Sequence, residues 1–437
     1  MRTTLALAAG KAARVASRLR GGGSALPGLV AERIDPKVLA HTLGSLPRGV
    51  VVVSGTNGKT TTTKMLVALL RAHDLEVFTN PTGSNFTRGV ISSLLGEVGL
   101  SGRLRADIAV VELDEAHALH FAAQVPPEHA LLLNVARDQL DRFAEIDHTA
   151  RLLTTLASAT SRGLVLNADD SFISRIRDHA APGVQVDWFG VDPSIADRLP
   201  ELQEADVRFE AAQERPEPGD EDALLLPADD GRTLTVRFPG EGIADVGPLQ
   251  LRQRGLAAMI NATAASAMAR QLLGADFSAE RAAQALSTVS PPFGRGEVID
   301  AGGAPLELVL VKNPAGFTVA LGTYGSEPVS TMVAINDNYA DGRDVSWLYD
   351  VSFESLRGQG VTLTSGVRAW DMALRLRYDG VEVDGVEPDL DAALDRFLAQ
   401  NTGRPSRIFC TYTAMMQLRR RLGDRFGLAR FGEDPQP

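Results

Sequence analysis

The chain carries one cysteine, Cys410, which excludes an internal disulfide and any cysteine-rich zinc site and fits a reducing cytoplasm. Lysine is almost as scarce: only Lys11, Lys37, Lys59, Lys64 and Lys312 occur, and arginine carries nearly all the positive charge. No apolar run is long enough to span a bilayer. The formal net charge of −11 implies no broad basic surface, so nucleic acid is not expected as a main partner. What remains, 44% hydrophobic and 23% charged residues over 437 positions, is ordinary globular composition. That length suggests roughly two or three domains.

Against this background one stretch stands out. Val50-Val51-Val52-Val53-Ser54 is an apolar run that breaks into Gly55-Thr56-Asn57-Gly58-Lys59-Thr60-Thr61 and then into helix-like sequence. Strand, compact GxxGK[ST] turn and helix in that order form a phosphate cradle. Gly55 and Gly58 let backbone N–H groups turn inward, Lys59 reaches the β- and γ-phosphates, and the Thr60 hydroxyl can ligate Mg²⁺. A lysine kept at position 59 in so lysine-poor a chain reads as functional, and the chemistry is expected to use ATP or GTP.

The first thirty residues are a local exception to the acidic balance. Lys11, Arg14, Arg18 and Arg20 precede any acid and interleave with Leu5, Ala8, Ala12, Val15 and Leu19 at helical spacing. One reading is a membrane-surface helix. The preferred one is an amphipathic helix packed on the protein with its arginines in water. A signal peptide is not expected, because the apolar stretch is short and broken by Lys11 and Arg14.

After the cradle, Lys64 to Arg71 reads as helix. Glu76 to Thr79, Arg105 to Leu113, Ala130 to Val135 and Gly163 to Leu166 read as strands. Strands alternating with helices indicate a doubly wound parallel sheet whose ligands sit beyond the strands' carboxyl ends. Glu112 falls at such an end, where a carboxylate can complete the Mg²⁺ shell begun by Thr60. Asp114 and Glu115 read equally well as solvated acids. Between about 192 and 242 the chain turns acid-, proline- and glycine-rich, the pattern of an exposed insertion with one or two antiparallel strands such as Thr233 to Phe238. A second α/β series, with strands at Leu306 to Val311, Thr331 to Ile335, Val361 to Thr364 and Arg407 to Cys410, suggests a smaller separate domain.

The cradle, the Gly83-Ser84-Asn85 loop, Glu112, Asn134 with Asp138-Gln139-Leu140-Asp141, Leu166-Asn167-Ala168-Asp169-Asp170, Asn261 and Gly294-Arg295 together resemble the ATP-dependent Mur ligases. Lys312-Asn313-Pro314-Ala315-Gly316 and the run from Asn336 to Trp347 resemble one branch, the MurT family of lipid II isoglutaminyl synthase subunits. The resemblance implies a P-loop central domain of Mur ligase type and a smaller Rossmann-like C-terminal α/β domain. The expected boundaries are 1–40 for the amphipathic segment, 41–290 for the central domain with its insertion, and 291–437 for the last domain. It implies that Asn261 contacts adenine and that Arg295 sits at an interdomain ATP site. The implied reaction is ATP- and Mg²⁺-dependent amidation of the D-glutamate α-carboxyl of lipid II to D-isoglutamine through an acyl phosphate, in peptidoglycan synthesis.

The departures from ordinary Mur ligases carry information too. Too few residues precede Gly55 for a nucleotide-sugar domain, so a soluble UDP precursor is not the expected substrate. Gln139 replaces the usual histidine of its motif, and no lysine lies between Lys64 and Lys312 to be carbamylated for a second Mg²⁺. All seven histidines lie at or before His179, far in sequence from Cys410, so a self-contained class I glutaminase is not expected. By the resemblance, ammonia comes from a GatD-like glutaminase partner, and Asp344 lends that partner an acid that orients its catalytic histidine. Asp341 and Asp350 compete for the role. The alternatives are an amino-acid ligase of folylpolyglutamate synthetase type and, in another class, a P-loop switch module. The expected location is the cytoplasm, with a peripheral place at the inner face of the membrane left open.

Overall fold

The computed structural model describes residues 2–19, 25–80, 85–136, 146–198, 215–325 and 327–428. Gly83, Ser84 and the Asp138 to Asp141 motif lie outside them. Two sheets organise the chain. The first has nine strands, β1 (Val50–Ser54), β2 (Val77–Thr79), β3 (Ile108–Glu112), β4 (His129–Leu132), β5 (Gly163–Asn167), β6 (Gln185–Val191), β7 (Ala223–Pro227), β8 (Thr233–Arg237) and β9 (Val246–Gln250). Their order is β2-β3-β1-β4-β5-β6-β7-β8-β9, with all neighbours parallel except the β7–β8 and β8–β9 pairs. Strands β1, β3, β4 and β5 are buried almost throughout, as a sheet covered on both faces requires.

The two faces are filled by separate cores. One joins Val51, Val53 and Val110 to the helices Lys59–Ala72, Leu256–Leu273 and Ala279–Thr288. The other joins Val50, Val52 and Val111 to helices on the opposite side, including Thr87–Glu97 and Ile146–Ser158. The alternation of Val50 to Val53 between these cores follows from the two-residue period of a strand. Truncating a fully buried leucine such as Leu66 or Leu69 to alanine costs about 2–5 kcal/mol.

The sheet differs from the sequence reading in two places. The helix after the cradle starts at Lys59, not Lys64, because its four threonines are buried against the sheet and packing overrides their modest helix propensity. Strands β7 and β8 do not form an exposed insertion between 192 and 242. They continue the main sheet, β7 parallel to β6, and place Leu225, Val236 and Leu249 of β9 against the helix Leu256–Leu273 side of the core. Residues 199–214 of that stretch lie outside the described set.

The second sheet has the order β10-β11-β15-β12-β13-β14, with β10 (Arg295–Asp300), β11 (Pro305–Leu310), β12 (Ser330–Ala334), β13 (Leu363–Ser365), β14 (Val386–Glu387) and β15 (Ser406–Cys410). All neighbours are parallel except the β10–β11 pair. Helices Pro314–Tyr324 and Ala369–Tyr378 cover one face, and Leu390–Gln400 and Tyr412–Phe426 the other. The carboxyl end of β11 meets the carboxyl end of β1, where Lys312 reaches Thr56.

Candidate active site between the two sheets

Strand β1 lies between β3 and β4, in register so that Val53 faces Glu112 and Ser54 faces Leu132. Chain connections diverge from this point, and the crevice beyond it is where an open parallel sheet binds ligands. The cradle occupies it. Gly55 has φ +129°, and a Cβ there would stand 2.9 Å from Asn134 N; Gly58 has φ +87°, with Asn261 Oδ1 where a Cβ would point. Both positions therefore require glycine.

Asn134 fixes the cradle's shape. Its carbonyl accepts from Thr56 N (2.9 Å), its Oδ1 accepts from Asn57 N (2.8 Å), and its Nδ2 donates to Asn57 O (3.0 Å). Ala136 N donates to Thr56 Oγ1 at 3.1 Å. The loop carrying Asn134 is held from the next strand: Asn167 Nδ2 donates to Leu133 O, and Asp170 Oδ2 accepts from Val135 N. Asp170 Oδ1 also caps the helix Ser171–Ser174, and burial raises its pKa to about 6 against the pull of those backbone N–H groups. Asn167 and Asp170 thus support the cradle from behind.

Lys59 is buried. Its ammonium donates to the carbonyls of Gly55 and Thr56 and lies 3.5 Å from the buried carboxylate of Glu115. Glu115, for which the sequence leaves a solvated acid equally open, is an ion-pair partner. Thr60 Oγ1 donates to Glu112 Oε1 at 2.8 Å, and both groups are buried. Asn80 holds Glu112 at its backbone, with Oδ1 accepting from Glu112 N and Nδ2 donating to Glu112 O, each at 2.9 Å. A hydroxyl and a carboxylate oxygen converging beside a phosphate cradle are hard donors of the kind Mg²⁺ takes alongside phosphate and water. Among the described residues no group of three or more His, Cys, Asp or Glu side chains forms a metal cage.

The second sheet completes the site. Lys312, just past β11, donates from Nζ to Thr56 O at 3.2 Å, and Asn313 Nδ2 donates to Asn57 Oδ1 at 3.1 Å. Asn313 also caps the helix Pro314–Tyr324 by accepting from Gly316 N, so that helix directs its N-terminus toward the cradle. Between the sheets lies a cavity of about 210 Å³ whose lining includes Thr61, Asn261, Arg295, Lys312 and Tyr324. The cradle, Asn261 and Arg295 are thereby brought together. In the sequence Lys312 stands out only as part of a motif; its rarity and its place just past an apolar strand were the available signal.

Asp344 is elsewhere, in the turn-rich segment after β12. It is half-buried, and its Oδ1 accepts from Ser346 N at 2.8 Å, which together with the Ser346 hydroxyl holds the carboxyl below its ordinary range. Asp341 is buried and committed: Oδ1 accepts from Thr413 N at 2.7 Å and Oδ2 from Thr413 Oγ1 at 2.5 Å. Asp350 is exposed. Around Asp344 the surface carries exposed aromatics, Tyr339, Tyr349, Trp370 and Tyr378, with Trp370, Leu374 and Tyr378 along one helix face.

This two-sheet arrangement around a P-loop is that of a Mur ligase. The chain matches the Mur ligase middle domain over residues 53–216 and the MurT ligase C-terminal domain over 310–415. It is 31% identical to the Streptococcus pneumoniae lipid II isoglutaminyl synthase (glutamine-hydrolyzing) subunit MurT, over 97% of this chain and 98% of that one. The corresponding Staphylococcus aureus (strain N315) subunit is 29% identical, over 88% and 89%. The chain belongs to the MurT family, and so to the ligases. Its fold is shared with MurF from Acinetobacter baumannii (TM-score 0.66, 18% identity, 91% of this chain and 81% of that one). It is shared equally with a Mycobacterium tuberculosis folylpolyglutamate synthase solved with ADP (TM-score 0.64, 15% identity, 90% and 94%).

Proposed function

We propose that this chain is the ATP-using subunit that amidates the D-glutamate α-carboxyl of lipid II to D-isoglutamine, with ammonia supplied by a GatD-like glutaminase. The observation that carries the reading is the convergence of Lys59 and Lys312, from two separate sheets, on the single carbonyl of Thr56. Two like charges so placed favour a polyanion between them. ATP with Mg²⁺, when bound, supplies the phosphoryl group and offsets its charge. Lys59 and the backbone N–H groups of residues 58–61, at the start of the helix Lys59–Ala72, would hold the phosphates, and Thr60 with Glu112 would hold the ion. Asn261 and Arg295 are assigned to the nucleoside end of the cavity. The substrate carboxylate attacks the γ-phosphorus, ADP leaves, and ammonia displaces phosphate from the resulting acyl phosphate.

An external ammonia source fits the chain's own chemistry. Cys410 is fully buried, burial pushes its thiol well up from the ordinary range, and no histidine belongs to its sheet. We assign Asp344 to orienting the partner's histidine and the aromatic surface around it to the interface, with Asp341 set aside by its bonds to Thr413. The domains proposed are 1–40, 41–290 and 291–437. Among the described residues no helix is long and apolar enough to cross a membrane.

The test is co-purification with a candidate glutaminase, followed by mass analysis of lipid II incubated with ATP and glutamine. Conversion of one carboxyl to a carboxamide is the expected result. A folylpolyglutamate synthetase-like reading would instead give amino-acid addition and no dependence on the glutaminase.

A further inference from the structure

The helix Arg2–Leu19 is oriented in an unexpected way. It packs on the body of the protein and leaves an apolar stripe in water. Leu5 (63% exposed), Ala8, Ala12 and Val15 (60% exposed) follow one another at spacings of three, four and three and form a single outward stripe. Lys11 and Arg14 flank that stripe along the seam with the helix Thr87–Glu97. Lys11 Nζ donates to Leu95 O at 2.9 Å, and Arg14 lies over Gly96. Of the arginines expected in water, Arg14 is instead half-buried, and the side chains of Arg18 and Arg20 lie outside the described set; Leu7 and Gly10 fill the inward face against Ala31 and Leu95.

The stripe is not isolated. The helix Ala25–Ile34 runs antiparallel to the first, tied by Arg2 Nε donating to Ile34 O and by Thr3 Oγ1 donating to Asp35 Oδ2. Both helices rest on Thr87–Glu97, so the faces turned away from it belong to one surface. Leu26 on the second helix is exposed, as is Leu100, in the turn whose Gly102 approaches Thr3. The charge of this region is opposite to that of the rest. Residues 1–40 contain Arg2, Lys11, Arg14, Arg18, Arg20, Arg33 and Lys37 against Glu32 and Asp35, in a chain whose net charge is −11.

We propose that this surface docks on an anionic lipid bilayer, with Leu5, Val15 and Leu26 entering the headgroup boundary and the positive balance of residues 1–40 drawing it to lipid phosphates. An apolar stripe bordered by cations is the pattern of a helix lying in a membrane interface, and the charge asymmetry names the sign of the lipid. The stripe is narrow and rich in alanine, so binding is reversible and depends on charge as well as burial. The proposal rests on the reading of a lipid-linked substrate, since docking would hold the enzyme at the membrane where such a substrate resides.

The experiment uses the full chain with its glutaminase partner, sedimented with vesicles of phosphatidylglycerol and phosphatidylcholine or of phosphatidylcholine alone. Binding to the anionic vesicles only, weakened by salt, is expected. Leu5→Glu/Val15→Glu should weaken it roughly tenfold or more and leave amidation of detergent-solubilised lipid II unchanged. Failure of the unaltered protein to bind anionic vesicles overturns the proposal, as does equal binding by the variant. A larger species on gel filtration that the variant abolishes assigns the face to a second copy instead, and loss of the glutaminase from the variant assigns it to that partner. Vesicle binding without amidation under any condition would sink the ligase reading and leave this surface assignment standing.

Discussion

Lys59 and Lys312 donate to the same acceptor, the carbonyl of Thr56, at 3.4 and 3.2 Å, though they come from different sheets and are 253 positions apart in the chain. Each ammonium raises the cost of the other, and Glu115 at 3.5 Å from Lys59 supplies one negative charge beside two positive ones. An anion arriving between them satisfies both, so nucleotide binding and closure of the two sheets should be one event.

Lys312→Ala tests this directly. Removing one preorganised cation from a transferring phosphoryl group costs about a hundredfold or more in kcat. Lys312→Arg should recover little, because a planar guanidinium does not reproduce a compact ammonium at this distance. A rise in the KM for ATP with kcat unchanged would mean that Lys312 only helps to bind nucleotide.

Lys59→Ala should abolish amidation while leaving the glutaminase partner bound. It should also lower the melting temperature, because Glu115 is left as a buried charge without its cation. Lys59→Ala/Glu115→Gln should therefore melt higher than the single variant and remain inactive. Thermal melts with amidation assays distinguish the catalytic loss from the structural one, and recovered activity in the double variant would refute the role given to Lys59.

The parts of the site that could be read in the sequence are those where a few adjacent residues carry both the structure and the chemistry. Strand, glycine turn and lysine predicted β1 and the cradle, and the rule that ligands gather beyond carboxyl ends found Glu112. What could not be read depends on distant pairing. Strand β10 follows a glycine turn and owes its existence to β11, while the contact between Asn57 and Asn313 spans 256 positions with nothing local to announce it. Glu115 was ambiguous because only the fold decides whether an acid after a strand faces water or Lys59. The start of the helix at Lys59 rather than Lys64 depends on the burial of Thr60 to Thr63, which is a tertiary fact.

His129, at the start of β4, gives a pH prediction. Burial, with Arg162 nearby, lowers its pKa from 6.5 to about 4. The unfolded chain takes up this proton as pH falls through 6.5, while the folded chain refuses it until about 4. The contribution to stability is therefore complete above 6.5 and lost progressively down to about 4, by an amount of order 3 kcal/mol. His129→Gln should flatten the dependence of denaturant midpoint on pH across that window. An unchanged slope would show that other groups govern it.

Asp344→Asn examines the proposed interface. If its carboxylate orients a histidine on the partner, the amide leaves that imidazole in the wrong tautomer, and glutamine-dependent amidation should fall by about a thousandfold or more. Amidation driven by added ammonium should persist, because Lys59, Thr60 and Glu112 are on the other sheet. The fold should also persist, since the amide oxygen of the introduced asparagine can still accept from Ser346 N as the Asp344 carboxylate does. Asp341→Asn is the contrast: its carboxylate accepts from Thr413 N and Oγ1, so its loss should lower thermal stability and both activities together. If Asp344→Asn lowers both activities equally, it belongs to the ligase machinery or the fold. If it lowers neither, the orienting acid is Asp350.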